Sequence, residues 1–115
     1  MGTNWLYVCV KTLLEAYSKY DDWQSRTLTQ FSMLLEFLVA ERLLLGDLEE
    51  WKNKDIKSLR ILASDLTEEG KALFSPPINA YFKWLKANDR DTRKPISMRS
   101  LVNGLKKVRE QKPII

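Results

Sequence analysis

FSMLLEFLVAERLLL, residues 31–45, is the longest apolar stretch of the chain, and its period decides the fold. Phe31, Met33, Leu34, Leu35, Phe37, Leu38, Val39, Leu43, Leu44 and Leu45 cover most of the circumference of a helix that runs to Leu45. A helix apolar almost all round belongs in the middle of a bundle. Ser32, Glu36, Glu41 and Arg42 interrupt the run, which argues against a membrane span. Thr27 or Thr29 offers a capping hydroxyl at its start, and Gly46 offers a stop.

Working outward, Trp5, Val8, Cys9, Thr12, Leu13, Ala16, Tyr17 and Tyr20 share one helical face and predict a first helix from about Asn4 to Tyr20. Asp21 and Asp22 then open a connector that carries Trp23. Beyond Gly46, Asp47-Leu48-Glu49-Glu50 reads as a capping box for a short helix bearing Trp51. Residues 56–63 fit neither period, leaving room for a short strand, a hairpin or an extended loop. Thr67 is placed to cap the next helix, with Glu68 and Glu69 in a first turn where the helix dipole favours carboxylates. Pro76-Pro77 ends that helix. Ser75 can cap another, with Pro76 at its first position, Ile78, Tyr81, Phe82 and Leu85 as its core stripe and Trp84 at the edge. Residues 88–95 read as a polar loop. Ser97 caps a last helix whose Met98, Leu101, Val102, Leu105 and Val108 face inward while Arg99, Asn103, Lys106, Lys107 and Arg109 face out. The expected fold is mainly all-α: a compact single-domain bundle of five or six helices over 1–115, with the extended segment near 56–63.

Composition narrows the function. The 115 residues are 44% apolar and 30% charged, with four Gly and four Pro, as in an ordinary globular protein. Histidine is absent and Cys9 is the one cysteine, so His relays, His-based metal sites and internal disulfides are excluded within the chain. Cys9 itself reads as a small buried core residue. The N-terminal MGTNWLYVCVKTLL has no basic leader, Lys11 cuts its apolar run and position 6 is Leu. Neither a signal peptide nor myristoylation is therefore expected, and a cytoplasmic location is.

The remaining catalytic candidates are carboxylate pairs: Asp21/Asp22, Glu49/Glu50, Glu68/Glu69 and Asp89/Asp91. Neighbours on a helix point about 100° apart and do not converge on one substrate atom. With no phosphate-cradling glycine loop and no metal-ligand spacing, no enzyme activity, cofactor, metal or small-molecule ligand is expected.

Charge is unevenly distributed. Residues 1–82 hold nine Lys/Arg and twelve Asp/Glu, net −3, and residues 83–115 hold ten and three, net +7. Acid gathers in mid-chain at Asp47, Glu49, Glu50, Asp55, Asp65, Glu68 and Glu69. Separated charge of this kind steers association with a partner. Trp23, Trp51 and Trp84 are not absorbed by the core stripes and are candidate anchors, Trp51 within the acidic segment.

A nucleic-acid regulator is the alternative. SDLTEEGKALF (64–74) contains the Leu-Thr-x-x-Gly phrase that follows the wing in winged-helix regulators. That fold needs a basic recognition helix before it, and residues 29–45 are apolar and slightly acidic. Under this alternative the basic surface is Arg99, Lys106, Lys107 and Arg109, tracking a phosphate backbone.

Together, SDLTEEGKALF, YFKWLKANDR (81–90) and LVNGLKKVRE (101–110) resemble the C-terminal half of the helical immunity proteins of bacterial contact-dependent growth inhibition systems. The resemblance covers roughly the last 50 residues. It implies a non-catalytic protein that binds a cognate toxin domain, often a nuclease, and blocks its active site or substrate groove. The expected contact is Asp47, Glu49, Glu50, Trp51, Asp55, Asp65, Glu68 and Glu69.

Overall fold

Val8 and Val10 are buried while Tyr7 and Cys9, the residues before each, are only partly covered, an alternation with the period of a strand. In the computed structural model, which describes residues 6–88 and 94–111, Leu6–Cys9 forms strand β1. It pairs antiparallel with β2, Arg60–Leu62, through Leu6 opposite Leu62, Val8 opposite Ile61 and Cys9 opposite Arg60. Of the expected helix from Asn4 to Tyr20, Asn4 and Trp5 lie outside the described residues, residues 6–9 are strand, and the helical part is α1, Val10–Ala16. Over five residues, LYVCV satisfies both a helical and an alternating reading, and its aromatic and β-branched residues suit a pleated surface. The remote partner strand selects the second. The short strand falls within the segment near 56–63, after a 3-10 turn at Ile56–Ser58.

The fold is mainly helical, with six α-helices and one two-stranded sheet among the described residues. The chain divides into two compact units, Met1–Thr67 and Glu68–Ile115.

The first unit is built on α2, Asp21–Ala40. It begins six residues ahead of Thr27, because Asp21 and Asp22 occupy its first turn, where they complement the dipole. Thr27 caps nothing: it lies inside the helix, and its hydroxyl donates to the Trp23 carbonyl one turn back (2.7 Å). Phe31, Leu34, Leu35, Leu38 and Val39 are buried, as their spacing requires. The helix ends at Ala40, well before Gly46. Arg42 adopts a left-handed backbone (φ 58°), and the amides of Arg42 and Leu43 donate to the carbonyls of Val39 (3.2 Å) and Leu38 (2.9 Å). This is a Schellman closure with Arg in the position Gly usually takes.

Leu43–Leu45 therefore leave the helix and run extended beside Asp65–Thr67. The Leu45 amide donates to Asp65 (2.7 Å), and the Thr67 amide donates to Leu43 (2.9 Å). Gly46, also left-handed (φ 89°), turns the chain into α3, Leu48–Lys52.

In the second unit, α4 is Glu68–Phe74, α5 is Ala80–Asn88 and α6 is Arg99–Gln111. The α5 stripe is rotated from its expected position. Trp84 is fully buried with Ala80 and Asn88, whereas Phe82 is 53% exposed. Ser97 caps α6 through the Arg99 amide (3.3 Å). The inward set on α6 holds for Leu101, Leu105 and Val108, but Val102 points out. Two residues without a sequence signal organise this unit. Gly104 is buried where an added Cβ would collide with Ala80 Cβ, so its lack of a side chain sets the α5–α6 approach. Asn88 is buried, and its side chain donates to the carbonyls of Trp84 (2.9 Å) and Ser97 (3.0 Å) and accepts from the Ser97 amide (2.8 Å). It thus fixes both ends of the 88–97 connection, of which residues 89–93, including Asp89 and Asp91, lie outside the described residues.

Candidate functional site

The corner between α2 and α3 brings charge and apolar surface together. With α2 ended at Ala40, Leu45 is freed from the helix and stands 50% exposed. Leu48, first in α3, is 37% exposed. Asp47, Glu49 and Glu50 are exposed around them. Asp47 holds the corner by accepting from the Glu49 amide (2.9 Å), the cap foreseen in the sequence. Trp51 is buried beneath: its indole N–H donates to the Leu45 carbonyl (2.7 Å), and the Lys54 amine lies 5.1 Å from its ring. The expectation of Trp51 as an exposed anchor is corrected, since it props the corner from inside. Trp84 is likewise core, and Trp23 is half-buried and stacked on Tyr17 (5.6 Å between ring centroids).

The other acidic candidates are engaged locally. Asp55 accepts from the Lys57 amide (3.1 Å) and caps the 3-10 turn. Asp65 is half-buried and accepts from the Leu62 amide (2.9 Å). Glu68 and Glu69 belong to the second unit, paired with Lys71 (3.5 Å) and Arg109 (3.4 Å). The structure therefore gathers Asp47, Glu49 and Glu50 at one corner and leaves Glu68 and Glu69 in a separate unit. A helix read through to Leu45 hides the exposure of Leu45, and nothing in the capping-box pattern marks Leu48 as exposed. A stop at Ala40 would have revealed Leu45.

On α6, Arg99, Lys106, Lys107 and Arg109 are all exposed, with Arg109 engaged by Glu69. Lys83 and Lys86 are exposed on α5, where the Lys86 amine lies 5.4 Å from the Phe82 ring.

Cys9 is half-buried at the end of β1 and is not the fully enclosed core residue expected. Hydrogen bonds from the hydroxyl (3.2 Å) and amide of Thr12, helped by the charge of Arg60, hold its thiol pKa below the ordinary value. Among the described residues no group of three or more Cys, Asp or Glu is placed to hold a metal ion, and no helix is long and apolar enough to cross a membrane.

A second feature of the first unit is a groove of about 380 Å³ between α2 and the segment from Lys52 to Ile56. Ser32, Leu35, Glu36, Val39 and Ala40 line it from one face of α2, and Lys52, Lys54 and Ile56 line the opposite wall.

No family model, curated protein or solved structure matches the chain.

Proposed function

We propose that this protein acts by binding, as an immunity protein that occupies the active site or substrate groove of a cognate toxin domain. The observation that carries the reading is the α2–α3 corner, where Leu45 and Leu48 stand exposed among Asp47, Glu49 and Glu50. Exposed leucines interspersed with exposed carboxylates along residues 45–50 match a partner with an apolar recess inside a basic surface. Nucleic-acid-cleaving domains have such surfaces because they must attract phosphates. The carboxylates steer encounter, and burial of the leucines slows dissociation. The contact is narrower than the acidic segment as a whole, because only Asp47, Glu49 and Glu50 flank the two exposed leucines in the chain, while Asp55 lies on the next turn, Asp65 is half-buried, and Glu68 and Glu69 belong to the second unit.

The test uses the toxin domain encoded in the adjoining reading frame, mixed with the full chain and with two variants. Glu49→Lys/Glu50→Lys should slow association at least about tenfold at low salt, with the difference shrinking as ionic strength rises. Leu48→Ala should raise the dissociation rate while leaving association nearly unchanged. Asp47 is left intact because it caps α3. Wild-type kinetics in both variants, or no complex at all, would sink the corner as the contact.

A second reading rests on Lys83, Lys86, Arg99, Lys106 and Lys107, all exposed in the second unit. In this reading they follow a phosphate backbone, and duplex affinity falls steeply with salt in a gel shift. Absence of binding at low salt removes it.

A further inference from the structure

We propose that the groove between α2 and the Lys52–Ile56 segment is a binding site for a medium-chain carboxylate. Its chemistry has two parts. Leu35 and Val39, with Ala40 and Ile56, give an apolar floor and wall. Lys52 and Lys54 are exposed on one side and form no ion pair among the described residues. Lys54 also lies over the Trp51 ring at 5.1 Å. Glu36 on the α2 side also has no ion-pair partner among the described residues, so two cations and one anion leave the groove net positive.

A groove of about 380 Å³ falls in the range of small-molecule sites and is too small for a partner helix. From Ser32 to Ala40 the lined face of α2 runs about 12 Å, at 1.5 Å per residue, close to the extended length of a decanoate chain. An alkyl chain laid between Ala40 and Ile56, over the buried Leu35 and Val39, removes its own apolar surface from water, and the carboxylate meets the lysine amines at the rim. No such ligand is expected from the sequence, because Lys52, Lys54 and Ile56 are distant from α2 along the chain. The groove borders the α2–α3 corner through Lys52 and Lys54 but shares none of Leu45, Leu48, Glu49 and Glu50, so variants at those four residues test the corner without touching the groove lining.

Decanoate is titrated, below its micelle-forming concentration, into the isotope-labelled full chain and followed by amide and methyl NMR shifts. Saturable shifts are expected at Leu35, Val39 and Ile56, with 1-decanol binding at least about tenfold more weakly for want of the charge. Lys52→Glu should weaken decanoate about tenfold, and Glu36→Gln should tighten it severalfold by removing the opposing charge. Ala40→Phe, at an exposed position on the groove, should block binding by filling it while leaving the rest of the spectrum in place. Shifts that do not saturate, that map elsewhere, or that are the same for decanol overturn the proposal, as does unchanged affinity in both Lys52→Glu and Ala40→Phe.

Discussion

Gly104 shows how much one residue can fix. An added Cβ would collide with Ala80 and press on Leu73 Cδ1 at 3.2 Å, inside a helix pair that has no slack. Overpacking of a close helix contact costs about 1–3 kcal/mol, whereas Gly→Ala in a free helix is favourable by up to about 1 kcal/mol. Gly104→Ala should therefore lower unfolding stability by about 1–2 kcal/mol in urea titration. A stabilised variant would mean that α5 and α6 are not in contact there. Read from sequence, Gly104 is only a weak helix residue within LVNGLKKV. Asn88 is equally plain in sequence, yet its three hydrogen bonds tie Trp84 to Ser97. A side chain's spacing shows which face it is on, but not what lies opposite.

At the scale of elements, three boundaries are legible in the sequence, but the starts of α2, at Asp21 and not near Thr27, and of α5, at Ala80 and not at Pro76, are not. Asp47 caps α3, Ser97 caps α6, and α4 stops just before Pro76-Pro77, each by a local mechanism written in a few residues. The end of α2 was misplaced because Arg42, not Gly46, takes the left-handed position that closes it. A non-glycine residue in that conformation costs about 1–2 kcal/mol, and glycine loses about 0.5–1 kcal/mol of that advantage through unfolded-chain entropy. Arg42→Gly should thus raise stability by about 0.5–1 kcal/mol, read as a higher urea midpoint with unchanged slope. A loss of stability would show that the Arg42 side chain does more than its backbone. The first helix was overextended for a different reason. Val8 and Cys9 suit a strand or a helix equally until Ile61 and Arg60 are brought alongside.

For the whole molecule, the two units carry opposite charge. Residues 1–67 hold eight Lys/Arg and ten Asp/Glu, net −2, and residues 68–115 hold eleven and five, net +6. The acidic corner lies in the first unit and the exposed α5 and α6 cations in the second, so the two functional readings concern different parts of the chain. Stability is also unevenly distributed. In hydrogen exchange, the slowest amides of the first unit should be those of Leu34–Val39, and those of the second unit should lie between Leu101 and Val108, where burial is densest. Amides of α3 should exchange much faster, because a five-residue helix leaves most of its amides without partners inside it. A protected α3 would contradict a corner poised at the surface for binding.

Local chain chemistry is enough for the helical class, the caps at Asp47 and Ser97, the break after Phe74, the inward face of α6 apart from Val102, and the separation of charge. These follow from propensity, capping and periodicity, which act within a few residues. Only the tertiary structure decided that Leu6–Cys9 is a strand, that Trp51 and Trp84 are buried, that Leu45 and Leu48 are exposed, and that Lys52 and Lys54 border a groove on α2. Each of those depends on a contact between segments far apart in the chain, and a contact of that kind leaves no periodic trace in either segment alone.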